Sequence, residues 1–405
     1  MLHFIMGKRQ DGSSEKEEGG SGCNSQNRRK PIFLMRILMQ GRSNFFDLIG
    51  GDTVQLLKTK EQLERLGSKV DICLELNPDL SGYDIVHLSN ITRIQETYLQ
   101  MQNAKRQNKK VALSTIYWPM EDFEKKGQVG VRKIINEHLG IDNIERIKAI
   151  ARTIKDSKSR NKATMQLITK GYTKMQQYVV NNADIFLPNA ELEMREVEKT
   201  FGIQNEEYRV IPNAVDLSLV DEAEKETVPD EYLQYKDAVI CVGRIETRKN
   251  QLGLVRALEG TKYKVLIVGG VSENQKAYFN EVKSVIDRNE NFTYLPFIDN
   301  GEIYKLYKIC KVSALPSWLD TPGLVSLEAA SMGCNLAVSI KGTTTEYFRE
   351  YASYCEPDDL DSIKTAVDEA FNKPKQSKLV KLIREKYNWE EAGKRTLDAY
   401  RSILN

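Results

Sequence analysis

From residue 35 onward, short apolar runs and amphipathic stretches take turns along the chain. Runs at 35–39, 69–74, 85–88, 111–116 and 184–188 have the length and apolar content of buried strands. Apolar residues recur every three or four positions at 53–66 and 191–201, which predicts helices, and the charged stretch 128–180 predicts a long helical region. A second series follows at 238–242, 264–268, 292–295, 312–315 and 335–338, each run leading into a helix or a turn. Strands alternating with helices predict parallel sheets with right-handed crossovers, here twice over. The acidic, proline-containing stretch 216–230 between the series reads as a linker. The expected fold is α/β, with two Rossmann-like parallel-sheet domains. Ligands are expected outside the carboxyl ends of the strands, where two facing sheets form a cleft.

The segment before residue 35 breaks this pattern. Residues 11–30 hold four glycines, four serines and a single apolar residue, Cys23, so residues 1–34 are expected to form a disordered tail. Residues 1–6 lack a basic start and a long apolar core, so no secretory signal is expected. No apolar run approaches the roughly 20 residues of a membrane span.

Composition then narrows the function classes. The chain has 405 residues, 40% of them hydrophobic and 29% charged, which suits a soluble globular protein of two or three domains. Its 59 basic and 57 acidic residues give a net charge of +2, which removes the electrostatic case for nucleic acid as a partner. Six scattered cysteines without a CxxC, several within apolar runs, point to reduced core thiols and a cytoplasmic location. Three histidines leave little room for a histidine-based metal site.

Two segments carry candidate chemistry. Val242-Gly243-Arg244-Ile245-Glu246-Thr247-Arg248-Lys249-Asn250 follows a strand and precedes a helical pattern. Arg244 and Lys249 can converge there on one anion, a diphosphate above all, with help from a helix start. A solvated basic turn is the plainer alternative. The second segment contains Asp320, Thr321, Pro322, Gly323, Leu324 and Glu328. Its two carboxylates suit sugar hydroxyls, because an ionised carboxylate only accepts hydrogen bonds, and Gly323 admits close approach of a ligand. A capped helix with a surface glutamate is the alternative here.

Taken together, the two segments resemble the retaining glycosyltransferases of family 4, which have the GT-B fold. Gly243, Arg244 and Lys249 match the family's G-R-x4-K-G, with Asn250 in place of the usual glycine. Asp320 and Glu328, with seven residues between them, match E-x7-E. Val210-Ile211-Pro212-Asn213-Ala214-Val215-Asp216 resembles V-I-P-N-G-V-D, and Asn388-Trp389-Glu390 with Tyr400 resembles the closing helix. The resemblance implies an acceptor-side domain over 35–220, a nucleotide-sugar domain over 221–386, and a helix at 387–405 that crosses back to the first domain.

The implied activity is transfer of a sugar from a nucleotide-diphosphate sugar to a glycan or lipid-linked glycan, with retained anomeric configuration. It passes through an oxocarbenium-like transition state, and a donor phosphate oxygen takes the acceptor proton. Surface polysaccharide or glycoconjugate synthesis is the implied setting. By the resemblance, Arg244 and Lys249 hold the diphosphate, Glu328 the ribose and Asp320 the transferred sugar. Gly323 and Leu324 offer backbone N–H groups, Phe297 and Ile298 lie where the base is read, and Gly50-Gly51 forms the glycine-rich loop of the first domain. No cofactor and no metal are expected. The triplet Asp359-Leu360-Asp361 mimics a metal-binding D-x-D, but its position before a helical pattern reads as a cap.

Departures from the family keep a second reading open, a catalytically degenerate nucleotide-sugar binder acting as scaffold or sensor. Asp320 is one methylene short of the usual glutamate. Tyr117 stands where many relatives have histidine, so any role of that histidine passes to the phenol or is absent. His87, at an expected strand end, reads either as packing or as a ligand contact. Residues 121–175 carry 13 basic against seven acidic residues, which suits either a solvated face or peripheral contact with an anionic membrane.

Overall fold

In the computed structural model, residues 34–47, 50–127, 139–155, 160–204 and 207–404 are described. The expected tail falls almost wholly outside them, as do part of the 128–180 stretch and Cys23. Five strands build the first sheet: β1 (Arg36–Gln40), β2 (Lys69–Cys73), β3 (Ile85–Ser89), β4 (Lys110–Ser114) and β5 (Ile185–Phe186). Their order is β2-β1-β3-β4-β5, and every pairing is parallel. The second sheet holds β6 (Val239–Val242), β7 (Val265–Val268), β8 (Phe292–Leu295), β9 (Val312–Leu315), β10 (Asn335–Ser339) and β11 (Ser353–Cys355). Its order is β11-β10-β9-β6-β7-β8, again all parallel. The fold is thus two Rossmann-like sheets, as the alternating pattern predicts.

Central strands of such sheets are covered on both faces and therefore read as continuous apolar runs. Val239, Ile240 and Cys241 in β6, and Val265 to Val268 in β7, are all buried. Apolar side chains on the two faces of the first sheet feed separate cores, and those of the second sheet feed a single one.

Several expectations change. The stretch 216–230 is not a plain linker: Leu217–Lys225 is a helix, with the Asp216 side chain accepting from the Ser218 N–H at its start. Val220 and Ala223 belong to the core of the second sheet, so a boundary at 220/221 falls inside a packed helix. Among its described residues the long helical region holds three helices, Ile141–Lys155, Lys162–Lys170 and Tyr172–Asn181, with Gly171 at positive φ between the last two. Strand β11 has no sequence signal of its own. It is an edge strand of three residues.

Two crossings join the sheets, and they lie side by side. Val215 bridges Asn388 in parallel, and the Val215 N–H donates to the Tyr387 carbonyl at 2.8 Å. Beyond the second crossing, helix Trp389–Leu404 packs on helix Gly51–Arg65 of the first domain. A side chain at Gly393 would collide with Gln62, so glycine permits the close crossing. Trp389, Leu397 and Tyr400 join the first-domain core, where burial of such side chains contributes about 1.5–3 kcal/mol each. The Tyr400 hydroxyl pairs with His87 Nδ1 at 2.6 Å, and His87 Nε2 pairs with Ser114 Oγ at 2.8 Å.

A strap from the second domain reinforces the junction. The Glu346 carboxylate accepts from the N–H groups of Glu191 and Leu192 and so caps helix Glu191–Phe201 of the first domain. The hydroxyl of buried Tyr347 donates to the Asn189 carbonyl and accepts from the Asn213 N–H.

Candidate active site

The first candidate segment leaves the sheet at the carboxyl end of β6. Gly243 takes a positive φ of 148°, and a side chain on Gly269, after β7, would collide with the Gly243 carbonyl oxygen. These glycines let the two strand ends meet. Asn250 adopts φ 58°, a left-handed conformation that glycine enters freely and asparagine tolerates best among the rest. That accounts for asparagine at a position where the resembled family has glycine. Its side-chain amide donates to the carbonyls of Pro316 and Pro357, tying three loops together.

The expected helix start contributes less than the sequence suggests. Helix Gln251–Ala257 has only seven residues, and its Leu252 N–H is taken by the hydroxyl of buried Tyr278 at 2.9 Å. Anion binding at this end would therefore depend on side chains.

The second segment leaves β9 and folds back over the first. The Trp318 N–H donates to the Arg248 carbonyl at 2.9 Å, and Asn213 Nδ2 donates to the Thr321 carbonyl at 2.5 Å. Asp320, 7% exposed, receives Lys249 Nζ at 2.8 and 3.1 Å and Arg248 at 3.4 Å. Burial acts to raise the Asp320 carboxyl, but the Lys249 and Arg248 charges outweigh it and hold the group below the usual carboxylate range. Gly342, at φ 88°, passes so close to the Asp320 carbonyl oxygen that any side chain there would collide.

Arg244 and Lys249 share no partner. Arg244, with 39% of its side chain exposed, faces Glu246 at 3.8 Å, whereas Lys249 is engaged by Asp320. Arg248 joins the two groups, because its guanidinium donates to Glu246 at 2.8 Å, to the Leu319 carbonyl at 2.8 Å and towards Asp320. The result is a chain of alternating charge, Arg244–Glu246–Arg248–Asp320–Lys249. Sequence reasoning missed Arg248 and Glu246. The available signal was the alternation of charges within Arg244 to Lys249 itself.

Gly323, at φ 91°, precedes helix Leu324–Ser331, which carries Glu328. The Glu328 carboxylate is half-buried and has no hydrogen-bond or ion-pair partner among the described residues. Burial, and then the negative charge of Asp216, push it up to about 7. Asp216 itself is held by Lys58 of helix Gly51–Arg65 at 2.7 Å.

Across the cleft, an added side-chain carbon at Gly51 would lie 3.9 Å from Leu324 Cδ1, so Gly51 and Leu324 face each other. Gly50 precedes the same helix in an extended conformation. Phe297, 63% exposed, and the partly buried Ile298 follow β8 at the far side of the sheet, with Phe297 above Gly270.

Tyr117 and His87 lie elsewhere. The Tyr117 ring packs on Phe201 in the first-domain core, and its N–H donates to Glu193, so the phenol offers nothing to the cleft. Buried His87 is engaged on both ring nitrogens by Tyr400 and Ser114, and burial lowers it to about 4. It packs. Asp359 caps helix Leu360–Asn372 by accepting from the N–H groups of Asp361 and Ser362, so the D-x-D triplet is a helix start. Among the described residues no three His, Cys, Asp or Glu side chains cluster as a metal site, and no helix is long and apolar enough to cross a membrane.

Comparison with known proteins adds a family to this geometry. Residues 225–389 match the family described as Glycosyl transferases group 1. An uncharacterized glycosyltransferase of Methanocaldococcus jannaschii is 27% identical over 177 residues, covering 41% of this chain and 45% of that relative. The D-inositol 3-phosphate glycosyltransferase of Nocardia farcinica is 26% identical over 183 residues, 42% of this chain and 41% of its own length. The match thus spans less than half the length of these relatives.

Solved structures agree over the whole fold. The sucrose-phosphate synthase of Thermosynechococcus elongatus superposes with a TM-score of 0.66 at 15% identity, covering 91% of this chain and 99% of that one. An Anabaena protein in complex with UDP and glucose reaches 0.61 at 14% identity, with 91% and 100% covered. Residues 225–389 are thus similar to the glycosyl transferases group 1, and the two sheets together have the GT-B fold of these structures.

Proposed function

We propose that the chain is a metal-independent, retaining glycosyltransferase of family 4 that moves a sugar from a nucleotide-diphosphate donor to a glycan or lipid-linked acceptor. One observation carries the reading: Glu328 presents a half-buried carboxylate with no partner among the described residues, on the helix that starts at Gly323. A desolvated acceptor of this kind calls for hydroxyl donors, and the vicinal hydroxyls of a ribose supply two.

The other roles are those the family resemblance implies. Arg244 and Lys249 hold the diphosphate and stabilise charge on the departing nucleotide, which is the task a metal would otherwise perform. Asp320 accepts from the transferred sugar, Gly323 and Leu324 offer backbone N–H groups, and the backbone at Phe297 and Ile298 meets the base. Gly50 and Gly51 leave room on the acceptor side. Donor binding would exchange the Lys249–Asp320 pair for a lysine–phosphate and a carboxylate–hydroxyl contact. A donor phosphate oxygen then takes the acceptor proton as the glycosidic bond forms on the face from which the nucleotide leaves.

A cytoplasmic setting in surface polysaccharide or glycoconjugate synthesis fits this reading. Peripheral contact with an anionic membrane has support from exposed Ile147, Ile150 and Ile154, which share one side of the basic helix Ile141–Lys155.

The locked Lys249–Asp320 pair favours a second reading, a binder that holds nucleotide sugar without transferring it. Thermal shift with UDP-, GDP-, ADP- and dTDP-sugars, followed by product analysis, tests both. Uridine donors come first, since fold neighbours were solved with UDP or UDP-2-fluoro glucose. A donor at about 100 times its Kd adds roughly 2.7 kcal/mol of stability. Shift with anomer-retaining transfer supports the enzyme, shift without turnover supports the binder, and no shift with any donor removes both.

A further inference from the structure

Arg248 and Lys249 are neighbours in sequence, yet they hold Asp320 in different ways. Among the described residues, Lys249 Nζ has Asp320 as its single hydrogen-bond and ion-pair partner, and it ends a flexible four-carbon stem. Arg248 is anchored. Its Nη1 donates to the Leu319 carbonyl at 2.8 Å and reaches Asp320 Oδ1 at 3.4 Å, while its Nη2 donates to Glu246 Oε1 at 2.8 Å. The Arg248 carbonyl also accepts from the Trp318 N–H, so main chain and side chain both tie it to the loop that carries Asp320.

Asp320 itself has little freedom. The Thr343 N–H donates to its carbonyl at 3.1 Å, and the Gly342 backbone lies against the same oxygen. From β6 the buried Cys241 thiol senses the carboxylate, but burial pushes that thiol up to about 12 and it stays neutral. Burial acts to raise the Asp320 carboxyl, and the Lys249 and Arg248 charges act to lower it. If Lys249 turns away, Arg248 is the cation that remains beside a carboxylate that water barely reaches. Without a cation, such a group takes up a proton, and a protonated carboxyl donates where a sugar hydroxyl needs an acceptor.

We propose that Arg248 is a positioning residue for sugar transfer: as Lys249 leaves for the donor diphosphate, the anchored guanidinium keeps Asp320 in place as a carboxylate that accepts from the transferred sugar. The inference rests on the glycosyl-transfer reading, which sends Lys249 to the diphosphate and Asp320 to the sugar. It divides two adjacent cations by their mobility, the lysine changing partners and the arginine staying with Glu246, Leu319 and Asp320.

Turnover of UDP-glucose, or of whichever screened donor the parent uses, is measured against pH at saturation in the parent, Arg248→Gln and Arg248→Lys. Calorimetry with the matching nucleoside diphosphate accompanies it. In Arg248→Gln, kcat at pH 7 should fall about tenfold or more. Its acid limb should move up by about one pH unit or more, because loss of the positive charge lets Asp320 protonate sooner. Arg248→Lys should bring the limb back towards that of the parent. Nucleoside diphosphate should bind both variants within about twofold of the parent, and in an Asp320→Asn background Arg248→Gln should move no limb. An acid limb that stays in place, or a loss of nucleotide affinity equal to the loss of turnover, would overturn the proposal, since Arg248 would then only prop the loops.

Lys249→Met mimics the withdrawn lysine with no donor present. Followed by carboxyl-carbon NMR, its Asp320 should still titrate below the usual carboxylate range, held there by Arg248 alone. Titration within or above that range would overturn the proposal, whether or not Arg248→Gln folds. A parent chain that binds and turns over no nucleotide sugar ends the glycosyl-transfer reading instead, while the Asp320 titration still decides whether Arg248 holds the carboxylate.

Discussion

Lys249 grips both carboxylate oxygens of Asp320, at 2.8 and 3.1 Å, in a site where both side chains are nearly shielded from water. The pair joins residues from two loops that are remote in sequence. Each partner is also the residue proposed to meet a different part of the donor, so two proposed binding groups are held against each other.

Lys249→Ala should therefore cost stability as well as activity. Removing one partner of a shielded pair leaves the other charge poorly compensated, and the loss should be about 2–3 kcal/mol, tempered by Arg248. Arg244→Ala, at an exposed site, should cost under about 0.5 kcal/mol. Donor turnover should fall by about 10- to 150-fold in both, the worth of one charge-assisted bond. Paired melting and kinetic measurements check this; equal melting temperatures would show that the pair contributes nothing in solution.

Glu328→Gln and Asp320→Asn should divide the donor between them. Loss of the ribose acceptor should weaken nucleoside diphosphate and nucleotide sugar alike, whereas Asp320→Asn should spare the free nucleotide. Calorimetry with both ligands on both variants is the test, and identical losses would count against this division.

The same glutamate should leave a mark on stability. Its folded value of about 7 lies above the ordinary 4.5, so the folded chain retains a proton that the unfolded chain releases. Stability from this group is present below about pH 4.5 and is lost as pH rises towards 7. At pH 8, without donor, Glu328→Gln should be more stable than the parent by about 1–3 kcal/mol. Urea melts of both proteins across this range measure it.

His87 should act in the opposite direction. Its folded value of about 4 lies below 6.5, so the unfolded chain takes up the proton first as pH falls. Stability should drop between about pH 6.5 and 4, by up to about 3 kcal/mol, as the ring is forced to charge between Ser114 and Tyr400. His87→Phe should flatten that part of the profile.

Exhaustive chelation should leave donor turnover unchanged, with no gain from manganese or magnesium. Asp359→Ala should cost about 0.5–2 kcal/mol, the worth of a helix cap, without changing turnover. Activity abolished by chelation and restored by metal would overturn the metal-free mechanism.

Much of the fold was legible because central parallel strands are apolar along their whole length, as in 239–242 and 265–268. What escaped lacked that signal. Ser353–Cys355 is too short to stand out, and the acidic exterior of helix Leu217–Lys225 made it look like a connector while Val220 and Ala223 are buried. Motif spacing brought Arg244, Lys249, Asp320 and Glu328 to notice. It could not show that Lys249 would meet Asp320 or that Arg248 would join Glu246 to Asp320, since those contacts arise only when the loop after β9 folds over the one after β6. The direction of the Tyr117 ring, into the core against Phe201, is likewise a product of packing.

The adjacency of Val215 and Asn388 makes the two sheets resemble the covers of a book with a single spine. Both connections run along this one edge. Contacts such as Gly51 facing Leu324 span the opening between the covers. Asp216 is the next residue after Val215, and Glu328 senses its charge, so this carboxylate lies near the shared edge. The nucleotide proposed to meet Glu328 would therefore lie beside the edge that both connections share.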